Sequence, residues 1–184
     1  GRRLRATTKE LDDMFKVGDY IIYGSIGVCK VADIGPIDIR ELSKNKDYYT
    51  LVPVYSNGSK VFTPTDNNKV VMRPIIQKED AMRLIDRIDE IETIWVDDEK
   101  RREQIYKEAL KKCDCMECIK IIKTLYQRKQ SRIAAGKKAT SSDTKYFEIA
   151  EDSLYGELAI SLQMKKDEVQ QYIVQRVKLQ EATQ

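Results

Sequence analysis

From Met14 to about Pro74 the apolar residues recur with a period of two, and turn residues interrupt them at short intervals. FKV, DYIIY, VCKVADI, DYYTLVPVY, KVFT and VVMR read as short strands or strand pieces, and Gly18-Asp19, Gly24 to Gly27 and Ser56 to Ser59 read as turns. Asn57-Gly58, between Val54-Tyr55 and Val61-Phe62, predicts a type I′ hairpin. Pro53 cannot donate to a ladder, so its strand is expected at an edge or a bulge. Five or so bent strands of this length predict a small SH3-like or Tudor-like barrel, a scaffold that usually binds partners.

After Pro74 the period changes to that of a helix. EDAMRLIDRIDEI places Met82, Ile85 and Ile88 on one stripe, and DEKRREQIYKEALKK does the same with Ile105, Tyr106, Ala109 and Leu110. CMECIKIIKTLYQRKQSRI carries Met116, Ile119, Ile122, Leu125, Tyr126 and Ile133 and breaks at Ala135-Gly136. Ser141-Ser142-Asp143 is placed to cap TKYFEIAEDSLYGELAISL, and Lys165-Lys166-Asp167 leads into EVQQYIVQRVKLQ. The predicted class is α+β: an N-terminal β-barrel over 14–75 followed by an all-α bundle of about five helices over 76–184. Residues 1–13, basic at their start and poor in large apolar side chains, read as a leader or an expression remnant.

Charge narrows the function. The 184 residues are 41% hydrophobic with a net charge of +3, so real cores are possible and the whole chain is no polycation. Between Asp97 and Lys138, however, thirteen Lys and Arg face seven Asp and Glu, an excess of six. The basic surface therefore belongs to the middle helices. Arg101, Arg102, Lys107, Lys120, Lys123, Arg128, Lys129 and Arg132, with Gln127, Lys137 and Lys138 alongside, are the candidates for phosphate contacts. The alternative is a merely solvated face in which Glu99, Glu103 and Glu108 pair with nearby cations. Trp95, the single tryptophan, sits beside this stretch in IWVDDEKRREQIY. It is read either as an apolar anchor where the chain runs into the helix or as an aromatic wedge against DNA.

Histidine is absent, which argues against general acid–base and zinc chemistry, and neither a catalytic constellation nor a cofactor is expected. The sequence shows no run of eighteen apolar residues, and a cytoplasmic protein without membrane contact or small-molecule substrate is expected. Cys113, Cys115 and Cys118 fall within six residues, and a four-ligand metal site would need the distant Cys29. Asp114 followed by Glu117 before an apolar-periodic run instead predicts a helix N-cap, with the thiols packing as small apolar groups in a reducing compartment.

FKVGDYIIYGSIGVCKV, VFTPTDN, IWVDDEKRREQIYKEAL, IKIIKTLYQRKQ and LYGELAISL, in this order, resemble the CarD/CdnL family of bacterial RNA-polymerase-binding transcription regulators, from about Met14 to Ile173. The first part is also similar to the polymerase-interacting domain of transcription-repair coupling factors. The resemblance implies a Tudor-like domain docking on the polymerase β subunit of a holoenzyme with the housekeeping sigma factor. It also implies a helical domain touching promoter DNA at the upstream edge of the transcription bubble, with a tryptophan as minor-groove wedge that modulates open-complex stability. It points to Tyr23, Ile26, Val28, Lys60, Phe62, Thr63 and Pro64 for partner binding and to Trp95 with the basic residues above for DNA.

Two departures matter. Gly24-Ser25-Ile26 stands where many members have Pro and His, and Val61-Phe62-Thr63-Pro64 lacks a basic residue that some members use against polymerase. The wedge of some members falls near Arg102, seven residues after Trp95. The competing expectations are a protein-binding scaffold that never touches DNA and a thiol-based metal or redox sensor using Cys113, Cys115 and Cys118.

Overall fold

A computed structural model describes residues 15–38 and 45–183; the leader read at 1–13 and Met14 lie outside them. Contacts divide the chain into two units at Ile75 and Ile76.

The first unit is a five-stranded antiparallel sheet: β1 (Tyr20–Tyr23), β2 (Gly27–Gly35), β3 (Tyr48–Pro53), β4 (Val61–Pro64) and β5 (Met72–Pro74), in the order β4-β3-β2-β1-β5. The period of two in the sequence becomes one buried face, where Ile21, Cys29, Val31, Tyr49 and Leu51 close around Phe15. Phe15 meets Tyr49 edge-on with ring centroids 5.6 Å apart. The same burial pushes the Cys29 thiol up to about 11, so it stays protonated as a core group. A short 3₁₀ turn at Gly24–Ile26 joins β1 to β2. Gly24 has φ +47° there, and a Cβ on it would stand 2.7 Å from Val70 Cγ1. A side chain there would be strained at this φ and would have to displace Val70, which is why glycine suits the turn.

Two strand expectations change. The type I′ hairpin does not form: the ladder between β3 and β4 ends at Leu51 and Val61, leaving a longer connection, and Gly58 is not among the positive-φ glycines. A type I′ turn needs φ above zero at both central residues, and strand pairing stops too early to impose it. Pro53 closes an internal strand, opposite Cys29 of β2 and beyond the reach of β4. It has one strand neighbour there, which is what the missing N–H requires.

The second unit holds five α-helices among the described residues: α1 (Lys78–Asp86), α2 (Arg102–Lys111), α3 (Cys115–Ala134), α4 (Ser141–Leu162) and α5 (Val169–Ala182). The α+β class and the Tudor-like sheet followed by helices agree with the sequence reading. α3 and α4 pack as an antiparallel pair around Ile121, Leu125, Tyr146, Ala150, Leu154 and Leu158. Asp114 caps α3 as its pattern predicts, its Oδ1 accepting the Met116 N–H at 3.1 Å. The cap of α4 is Thr140, one residue earlier than the sequence suggests; its Oγ1 accepts the Asp143 N–H at 3.1 Å. That shift leaves the Asp143 carboxylate for another partner. Among the described residues no helix is long and apolar enough to cross a membrane.

Candidate nucleic-acid and partner surfaces

Trp95 lies in the loop between α1 and α2 and is 83% exposed. Burial alone excludes an apolar plug in the bundle core. Its neighbour Ile94 supplies the anchor instead, packing on the core while its N–H donates to Thr124 Oγ1 at 2.8 Å. The Thr124 hydroxyl in turn donates a hydrogen bond to the Lys120 carbonyl at 2.6 Å, so one buried hydroxyl on α3 holds the loop. The indole Nε1–H donates to the Asp97 carboxylate. The ring therefore stands in solvent on a loop pinned one residue away, where a partner can reach it.

Beyond Trp95 the chain enters α2 through a 3₁₀ turn at Glu99–Arg101, with Asp98 as its cap. Here the cations singled out in the sequence find internal work. Arg102 donates to Glu99 at 3.0 and 3.1 Å and to Tyr106 Oη at 2.8 Å, with its side chain only 16% exposed. Arg128 reaches from α3 to Glu99 at 3.1 Å and to the buried Asp143 of α4 at 2.6 Å. Hydrogen bonds from Arg102, with its charge and that of Arg128, hold the Glu99 carboxyl below its usual range. One carboxylate thus ties α2 to α3, and Arg128 ties both to α4. Tyr146 adds a parallel link by donating to Glu103 at 2.8 Å; burial first, and then that carboxylate, push the phenol up to about 12, so it remains a donor.

Lys123 also turns inward. Its ammonium donates to the carbonyls of Ile88 and Ile91 at 2.8 and 2.5 Å and closes the 3₁₀ turn after α1. Lys120 pairs with Glu117 at 3.4 Å, and Arg132 donates to the Lys138 carbonyl at 2.8 Å. Arg101 and Lys129 are exposed, and Lys107, half exposed, pairs loosely with Glu103 at 3.5 Å. The basic stripe therefore separates into two groups. Arg102, Lys123 and Arg128 brace the bundle and hold the Trp95 loop, whereas Arg101, Lys107 and Lys129 keep their charge at the surface.

The barrel residues divide in the same way. Ile26, Lys60 and Phe62 are exposed, and Tyr23 and Pro64 are partly so. Val28 and Thr63 are corrections: both are buried, Thr63 because alternation along β4 turns it to the face of Tyr49 while Phe62 faces out, and Val28 on the face opposite Cys29, beside its buried strand partner Ile22. Phe62 stands on β4, an edge strand, and lines a cleft of about 390 Å³ with Lys60, Thr50, Asp33 and Ile37. Val52, Val54 and Tyr55 add further exposed apolar surface.

The metal alternative for Cys113, Cys115 and Cys118 finds no donor set. Among the described residues no three His, Cys, Asp or Glu side chains are arranged to hold an ion. Cys115 donates its thiol proton to Glu157 at 3.2 Å. Sequence reasoning missed Glu157, Thr124 and Asp97, and took Asp143 only for part of a helix cap. For Thr124 and Glu157 a signal existed, since each is a polar residue set among apolar neighbours that turn into the core.

Compared with known families, residues 15–76 match the CarD-like/TRCF RID domain and residues 83–174 match the CarD C-terminal domain, the second match alone covering half of the chain. No curated protein matches the chain as a relative.

Proposed function

The chain belongs to the CarD family of RNA-polymerase-interacting, non-catalytic transcription regulators, and from that premise we propose that its barrel docks on the polymerase β subunit while Trp95 meets promoter DNA. The contact is at the upstream edge of the transcription bubble in a holoenzyme with the housekeeping sigma factor. The consequence is a change in open-complex lifetime. The protein works in the cytoplasm, at the nucleoid, through polymerase.

The observation that carries this reading is the 83% exposure of Trp95 on a loop pinned by Ile94 and Thr124. A wedge must reach a base step from a held loop, and the exposed indole beside the Ile94–Thr124 hydrogen bond supports that reading. Arg101, Lys107 and Lys129 are left to contact phosphates, while Arg102 and Arg128 act as braces. On the barrel, the exposed Phe62 at the sheet edge, with Lys60 in the same cleft, supplies the docking surface, and Ile26 adds an exposed apolar side chain at the turn between β1 and β2.

Co-sedimentation of the full chain with RNA polymerase holoenzyme tests the docking half. Stable association that Phe62→Asp abolishes, with ellipticity unchanged, is the expected result; no association of the wild type overturns the proposal. A scaffold that never touches DNA is the competing outcome, seen as polymerase binding that is indifferent to the presence of promoter.

A further inference from the structure

Three thiols gather where α3 begins, and neither the docking nor the DNA reading uses them. Cys115 is the first residue of α3 and Cys118 lies one turn on, both buried. Cys113 precedes them, half-buried, with φ +52° in the left-handed region that a side chain occupies at a cost of about 1 kcal/mol. Glu157 of α4 is buried at 2% exposure; Oε1 accepts from the Cys115 thiol at 3.2 Å and Oε2 accepts the Ile76 N–H at 2.8 Å. A buried carboxylate is costly to keep, and this one is aimed at a sulfur.

We infer that Cys115 and Cys118 form a reversible dithiol–disulfide couple, with Glu157 accepting the Cys115 proton and Cys113 as the thiol that meets a low-molecular-weight disulfide. The argument is one of spacing and proton placement. Residues three apart on a helix hold their Cβ atoms about 5–6 Å apart, and a disulfide needs about 3.5–4.5 Å. The first turn of α3 must tighten by roughly 1–2 Å to close it, which draws Cys115 off Glu157. Only the thiolate attacks, so a base on the thiol is what such a couple requires.

The exchange balances as follows. Cys113 thiolate attacks one sulfur of the small disulfide RSSR; a Cys113–SR bond forms, the RS–SR bond breaks, and RS⁻ leaves with the electron pair and takes the Cys113 proton. Cys115, its proton passed to Glu157, attacks Cys113 Sγ and expels the second RS⁻, which is protonated from Glu157. Cys118 then attacks Cys115 Sγ, closing the Cys115–Cys118 bond and returning Cys113 as a thiol with the Cys118 proton. Two cysteine thiols are oxidised and RSSR is reduced to two RSH. Glu157 loses the Cys115 donor, and the tie between this carboxylate and Ile76, the first residue of the helical unit, weakens.

The test uses the full chain in glutathione buffers of stepped oxidised-to-reduced ratio, quenched by alkylation and mapped by mass spectrometry. The expected result is a Cys115–Cys118 cross-link, reversed by dithiothreitol, that Cys113→Ser and Glu157→Gln each form about tenfold more slowly. In the oxidised wild type the Ile76 amide exchanges faster than in the reduced protein. A folded wild type that stays reduced in the most oxidising buffer, or a cross-link at another pair, overturns the inference. If Glu157→Gln does not fold, equal Ile76 exchange in reduced and oxidised wild type overturns the link to Glu157.

Discussion

Arg128→Ala separates a brace from a DNA contact. The side chain bridges Asp143 at 2.6 Å and Glu99 at 3.1 Å, and its side chain and that of Asp143 are 21% and 9% exposed. Breaking a buried pair costs about 3–5 kcal/mol because one charge is left behind, whereas an exposed pair contributes about 0–1 kcal/mol. This pair lies between those limits, and its Glu99 arm, 66% exposed, adds little. A loss of about 2–3 kcal/mol is therefore expected, which at a slope of about 2 kcal/mol per molar urea lowers the midpoint by about 1 M. Urea unfolding of the full chain, followed by far-UV ellipticity, reads it directly. Asp143→Asn costs less, and the double variant less than the sum, since the partners share one interaction. The reasoning is refuted if Arg128→Ala unfolds within about 0.2 M of the wild type while losing promoter affinity at every sequence alike, the behaviour of a phosphate contact.

Three further outcomes follow from the same contacts. Thr124→Val removes the acceptor for the Ile94 N–H and lowers stability by about 1–2 kcal/mol; the fluorescence anisotropy of Trp95, the sole tryptophan, falls as its loop loosens, and an unchanged anisotropy contradicts the pinning. DNA affinity measured against salt has a log–log slope of about −3 if Arg101, Lys107 and Lys129 carry the phosphate contacts, against about −7 if all eight candidate cations do. For pH, Glu99 is held below its usual range by Arg102, and Asp86 by Arg176. Depressed carboxyls stabilise above their unfolded values, near about 4.3 and 3.9, and lose that contribution as pH falls through the folded ones. The urea midpoint is thus flat from neutrality to about pH 5 and falls below about pH 4, more shallowly in Glu99→Gln and Asp86→Asn; parallel acid limbs would remove these two groups from the account.

Element type was legible wherever period and caps agreed. Asp114 before an apolar run announced the start of α3, and Ala135-Gly136 its end. The hairpin at Asn57-Gly58 misled because local turn chemistry competes with ladder length, and the ladder ends at Leu51 and Val61. Val28 and Thr63 were taken for surface from motif position, although alternation turns Thr63 to the core face and Val28 is buried beside Ile22 on the other. The basic stripe was visible as composition, but its division was not. Arg128 becomes a brace through Asp143, fifteen residues away, and Lys123 through carbonyls thirty-two and thirty-five residues away. Long-range partners of that kind leave no trace in local spacing. Glu157 is the extreme case, joined to Cys115 and Ile76 across 42 and 81 residues.

The central claim is that Trp95 acts on DNA while the barrel holds polymerase, and the lifetime of open complexes tests it most directly. Holoenzyme at a ribosomal-RNA-type promoter is challenged with competitor alone, with the wild type, and with Trp95→Ala. The account predicts that the wild type changes the lifetime and that Trp95→Ala, folded and still bound to polymerase, leaves it as it is without the protein. A Trp95→Ala chain that alters the lifetime as fully as the wild type would contradict it and return the search to Arg101, Lys107 and Lys129.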